Sequence, residues 1–153
     1  MKTLTRTLPV SFHLLARVLL GLTFFVFGLN GFLHFLPQPT PPPAAGAFFG
    51  ALYASGYMLP LLKGTEVLAG ALLLAGIFVP LALALLAPII VNIVAFHLFL
   101  APGNWGVLAL VLASELFLAW TYRAAFAPML RVRTPVPARA SAGQPVAGLR
   151  HAA

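Results

Sequence analysis

Four apolar stretches dominate this chain, at about residues 12–36, 60–79, 81–101 and 104–126. Each is near the ~20 residues that a helix needs to cross about 30 Å of hydrocarbon. The links between the last three are very short, Phe78-Val79-Pro80 and Pro102-Gly103-Asn104. Turns of that length make neighbouring helices run antiparallel, so the expected fold is all-α: a polytopic membrane protein with an up-down bundle of four transmembrane helices. Composition closes off the soluble alternative. With 61% apolar and 7% charged residues, the chain has too little polar surface to coat a water-soluble globule, and the lipid bilayer is its expected surrounding.

The formal net charge of +7 raises the question of nucleic acid, but the cations lie at the two ends without aromatic interleaving, which argues for no nucleic-acid partner. Lys2, Arg6 and Arg17 open the first stretch; Arg123, Arg131, Arg133, Arg139 and Arg150 close or follow the fourth; Lys63 alone falls on the other side. By the positive-inside rule both termini are cytoplasmic and the loops at 37–59 and 102–104 face outward. The first stretch is longer than a signal core and no small-residue cleavage site follows it before Pro37, so it reads as a retained helix behind an N-terminus of residues 1–11. Residues 128–153, rich in Pro, Ala, Gly and Arg, have no periodic apolar face and are expected to be a disordered basic tail. The absence of cysteine removes disulfide and thiol chemistry.

The outer loop carries no charge. After the prolines between Pro37 and Pro43, the residues Phe49, Tyr53 and Tyr57 recur every four positions beside Phe48 and Leu52. That spacing predicts a short interfacial helix with an aromatic face, which serves either as a headgroup-level anchor or as a lid over the bundle's outer mouth.

The chain has two acidic residues, Glu66 and Glu115, and both lie within apolar stretches. A carboxylate at bilayer depth is costly unless paired, protonated or facing water, so each marks a packing bond or a functional site. Lys63 stands three residues before Glu66, placed to neutralise it. On the first helix Arg17, Gly21, Phe24, Gly28 and Gly31 share a stripe whose glycines allow another backbone to approach. Asn30 and His34 form a neighbouring pair one turn apart. On the third, Pro88 frees a carbonyl one turn back, and Asn92 and His97 follow. At 1.5 Å per residue, Glu66 and Asn30 lie about 9 Å from the outer surface and Asn92 about 13 Å, with His34 and His97 nearer still. Asn30, His34, Lys63, Glu66, Asn92 and His97 therefore form an outer-leaflet polar group, which either bonds the helices together or lines a small-molecule or proton-handling pocket. Glu115 falls close to the midplane, and Arg17 is its nearest candidate cation; the two are expected to form a structural ion pair between the first and fourth helices. No metal centre is expected, and two histidines on different helices are weak grounds for a haem. No nucleophile, phosphate loop or dinucleotide motif is present.

Two segments together resemble the DoxX family of small four-helix membrane proteins. They are Arg17-Val18-Leu19-Leu20-Gly21-Leu22-Thr23-Phe24-Phe25-Val26-Phe27-Gly28 and Glu66-Val67-Leu68-Ala69-Gly70-Ala71-Leu72-Leu73-Leu74-Ala75-Gly76. The resemblance covers about residues 12–126 and rests on Arg17, Gly21, Gly28, Glu66 and Gly70. It implies a bacterial inner (cytoplasmic) membrane protein, in a family that includes a subunit of a thiosulfate:quinone oxidoreductase and many members without assigned activity. Family members often carry a lysine near the end of the first helix, where this chain reads Asn30-Gly31-Phe32-Leu33-His34. Two functional classes stay open. One is a non-catalytic membrane subunit or small-molecule binding protein with an outer pocket around Glu66, a partner subunit or a second copy of itself, and no cofactor. The other is a membrane subunit of a quinone-linked oxidoreductase, with quinone carbonyls facing His97, Asn92 or His34.

Overall fold

The computed structural model describes residues 10–37, 39–103 and 105–131, so most of the expected terminal segments 1–11 and 128–153 lies outside the described residues. Among the described residues the structure is entirely helical: α1 (Val10–Leu33), α2 (Pro43–Ala54), α3 (Met58–Ala75), α4 (Val79–Phe99), α5 (Trp105–Thr121) and the single turn α6 (Arg123–Phe126). Three helices are long and apolar enough to cross a bilayer: α1 from Phe12, α3 and α4. α5 is apolar but has 17 residues. It stops short of the expected end at 126 because Tyr122 leaves helical geometry, with φ −92° and ψ 13°, before α6 resumes.

The four long helices form a ring in which α1 lies between α3 and α5, and α4 between α3 and α5. The α1–α3 face is the most extensive, and its antiparallel register follows from small residues. A Cβ on Gly70 would stand 2.6 Å from the backbone nitrogen of Phe25 and 2.8 Å from the carbonyl oxygen of Gly21. Only a residue without a side chain lets the two backbones meet at this point. The contact continues with Gly28 against Val67 and Glu66, and Gly31 against Lys63. The glycine stripe of α1 therefore faces α3. Leu20, Phe24, Leu73, Leu83, Leu86, Ile90 and Leu118 fill the space between the four helices. Large apolar side chains elsewhere, such as Leu22, Leu68, Val91, Leu116 and Trp120, point outward as lipid contact requires.

The helix ends differ from the sequence reading for local reasons. α1 stops at Leu33 rather than near 36, because His34 turns left-handed (φ 52°) and the Asn30 side-chain oxygen accepts the Leu36 N–H at 2.6 Å. α3 ends in a left-handed Gly76 (φ 73°), with Gly76 N–H donating to Leu73 O and Ile77 N–H to Leu72 O, the paired C-terminal bonds of a Schellman motif. The turn into α4 is thus Gly76-Ile77-Phe78, and Val79-Pro80 form the first helical positions, where proline's missing N–H costs nothing. Pro88 stays within α4 without ending it.

α2 does form in the loop after the prolines, but the expected Phe49–Tyr53–Tyr57 face is split. The Ser55 hydroxyl donates to Leu52 O at 2.6 Å and accepts from Met58 N–H at 3.0 Å. This turn ends α2 at Ala54 and leaves Tyr57 at the start of α3. Tyr53 and Tyr57 are exposed, and the side of α2 that meets the bundle carries Phe48, Phe49 and Leu52 instead.

Candidate functional site

The half of the bundle nearest α2 forms a half-open cavity of about 450 Å³, with residues of all five helices α1–α5 on its walls. Phe24 and Phe27 of α1, Phe48, Phe49 and Leu52 of α2, and Ile89, Ile93 and Phe96 of α4 make those walls apolar. Leu108 and Val111 of α5 close the far side. The Phe96 ring lies 5.9 Å from that of Phe48 and 5.1 Å from that of Phe49, so aromatic contacts join α2 to α4 across the mouth.

The polar groups on this surface are few. Lys63 and Glu66 are one turn apart on α3, and the Lys63 ammonium donates to both carboxylate oxygens, at 2.8 and 3.1 Å. The carboxylate is almost fully buried, with 3% of the Glu66 side chain accessible against 20% for Lys63. Desolvating this pair is expensive, and the double contact offsets that expense by leaving neither oxygen unmet. The lysine remains the more open partner. Of its three N–H donors, two go to Glu66 and one is left over. Asn92 is exposed on α4 and lines the same space. His97 lies toward the mouth, where its Nδ1 sits 2.8 Å from the Ile93 carbonyl oxygen. A carbonyl only accepts, so Nδ1 carries the proton, and in the neutral ring Nε2 is left as a free acceptor. The Thr23 hydroxyl also reaches the wall but donates to Leu19 O at 2.8 Å within its own helix.

Four of the six outer polar residues expected to gather therefore line one cavity: Lys63, Glu66, Asn92 and His97. Asn30 and His34 do not. Asn30 is buried and its side chain terminates α1 by accepting from Leu36 N–H; His34 is exposed in the turn that follows. The one-turn spacing of these two residues serves the helix end. In their place the cavity uses Phe27 and Phe96, which sequence reasoning passed over; the one-turn interval from Asn92 to Phe96 was the available signal.

The expected Arg17–Glu115 ion pair is absent. Among the described residues the ion pair formed is Lys63–Glu66, while Arg17 Nε and Glu115 Oε2 are both buried without a hydrogen-bond partner. The Arg17 guanidinium instead rests against Gly76, in space that any side chain at that position would occupy. There it meets the C-terminal end of α3, the negative end of that helix's dipole. Glu115 points into the bundle beside Ser114, one turn beyond Val111 of the cavity wall. Below them, at the end away from α2, the rings of His13 and Tyr122 meet at a tilt of 52° with centroids 5.2 Å apart and join α1 to the end of α5.

A model of the DoxX family matches residues 12–99, from near the start of α1 to the end of α4. The chain belongs to the DoxX family. The match takes in α2, the α1–α3 glycine contacts and every polar residue on the cavity surface, and ends before α5. No curated protein and no solved structure matches the chain.

Proposed function

We propose that this DoxX protein crosses the bacterial inner membrane four times and binds a small, mostly apolar molecule in the cavity beside α2. The fourth crossing is α5, whose 17 residues rise about 25 Å, at the short end of what spans hydrocarbon. Trp120, Tyr122 and Arg123 suit its interfacial end. Both termini lie in the cytoplasm on this reading, and the cavity is in the outer leaflet. The protein acts as a membrane subunit or carrier-like binding protein, alongside a partner subunit or a second copy of itself.

One observation carries the binding reading: the Lys63–Glu66 pair fronts a 450 Å³ space walled by phenylalanine. A pair whose sole work is to neutralise a buried carboxylate within α3 needs no such space, whereas a few convergent polar groups in an apolar hollow are the usual form of a ligand site. A quinone ring is the second reading. The apolar walls would hold it and the Lys63 and Asn92 N–H groups would meet its carbonyls, with electrons supplied through a partner subunit. The decisive experiment is purification in native lipid followed by mass analysis of extracted small molecules and an absorption spectrum. A stoichiometric molecule that disappears in Glu66→Gln supports binding, and a quinone among the extracts supports the second reading. A protein that carries nothing in wild-type form overturns both. A reporter fused after Ala153 should register in the cytoplasm.

A further inference from the structure

The polar groups around the cavity differ in what they offer, and that difference specifies a ligand class. Lys63 has one N–H beyond those given to Glu66, so at this wall the site presents a donor. At the mouth, His97 gives its Nδ1 proton to Ile93 O, so the neutral ring presents an acceptor at Nε2. Asn92, deeper along α4, presents both, and stands five residues from His97, about 7.5 Å along the axis. Because Lys63 and Glu66 cancel, the site carries no net charge to attract an ion. Five phenylalanines, Phe24, Phe27, Phe48, Phe49 and Phe96, supply ring edges and faces.

We infer that the cavity takes an uncharged hydroxylated aromatic molecule, a phenol bearing a second oxygen, whose O–H donates to His97 Nε2 while the other oxygen accepts from Lys63. A purely apolar guest leaves both groups unmet. A fully oxidised quinone, with acceptors alone, can be met by Lys63 and Asn92 but offers no donor to His97 Nε2. The inference rests on the proposed binding function and narrows it to a chemical class.

Three probes test it on the full-length protein in lipid nanodiscs: para-hexanoylphenol, its methyl ether, and hexylbenzene. The ether keeps the ring and the ketone but loses the O–H; hexylbenzene loses both oxygens. Isothermal titration should find the phenol bound about tenfold more tightly than the ether, the value of one buried hydrogen bond. In His97→Phe the two should bind equally, since the donor no longer has a partner. Equal binding of phenol and ether to the wild-type protein, a comparison that needs no variant, overturns the inference while leaving a ligand-binding cavity in place. Binding of none of the three overturns the inference together with the function on which it rests.

Discussion

Replacing Gly70 by alanine places a methyl group where α1 and α3 come closest. The new Cβ stands 2.6 Å from Phe25 N, 2.8 Å from Gly21 O and 2.9 Å from Phe25 Cα, all backbone atoms that no rotamer change can move. Bringing the shortest of these to 3.4 Å, the near limit of ordinary contact, requires the helices to separate by roughly 0.8 Å, a gap that forfeits a quarter to a half of the dispersion attraction between atoms facing each other. Since α1 and α3 share the largest interface of the bundle, the expected loss is about 1–3 kcal/mol, the usual cost of overpacking. Gly64 is the internal control, because a Cβ there meets nothing within 4 Å, and its alanine variant should be neutral or more stable by up to about 1 kcal/mol, the helix-propensity gain of alanine over glycine. Reversible unfolding in mixed detergent micelles, followed by tryptophan fluorescence, measures both. If Gly70→Ala and Gly64→Ala unfold at the same denaturant concentration, the close approach of α1 and α3 is wrong.

Three further outcomes follow from the polar residues. Lys63→Met strands the buried Glu66 carboxylate and should cost about 3 kcal/mol, most of it recovered when Glu66→Met is added; the same unfolding assay reads both, and a double variant no better than the single one would contradict the pairing. Asn30→Ala removes the acceptor of Leu36 N–H and should cost about 1–2 kcal/mol while leaving the extracted small molecule at wild-type stoichiometry; a loss of that molecule would return Asn30 to the site. Glu115→Leu removes a buried oxygen without a partner and should raise stability by about 1 kcal/mol, with Arg17→Leu adding independently. Strong coupling between those two changes in a double-mutant cycle would restore the ion pair that the structure lacks.

The sequence was most legible where a single helix decides the outcome. The Lys63–Glu66 contact is an i,i+3 relation within α3, and any helix through those residues brings the two together. The glycine stripe of α1 is legible for the same reason: its spacing identifies a face, though not which helix covers it. Relations between helices were hidden. Arg17 and Glu115 lie on different helices, and nothing in their spacing reveals that the guanidinium lodges against the end of α3. Asn30 looked like a site residue because polar side chains inside apolar runs are rare, yet its partner is a backbone N–H six residues on, in a turn whose shape depends on the left-handed His34. The aromatic stripe of the loop failed at Ser55, where one hydroxyl with two backbone partners interrupts the helical phase.

Gly31 is not on the cavity wall, yet it bears on the cavity's chemistry. A Cβ at that position would stand 2.5 Å from Lys63 Cγ and 2.6 Å from Cδ, so the stem of the lysine runs through the notch that the glycine leaves on α1. The aim of the ammonium is thereby set from a neighbouring helix, and positions 31 and 63 are coupled by packing. A homologue that acquires a side chain at the first must redirect or surrender the lysine at the second. A glycine matching Gly31 is therefore expected in relatives that keep a lysine matching Lys63, a pairing that can be tested without any knowledge of what they bind.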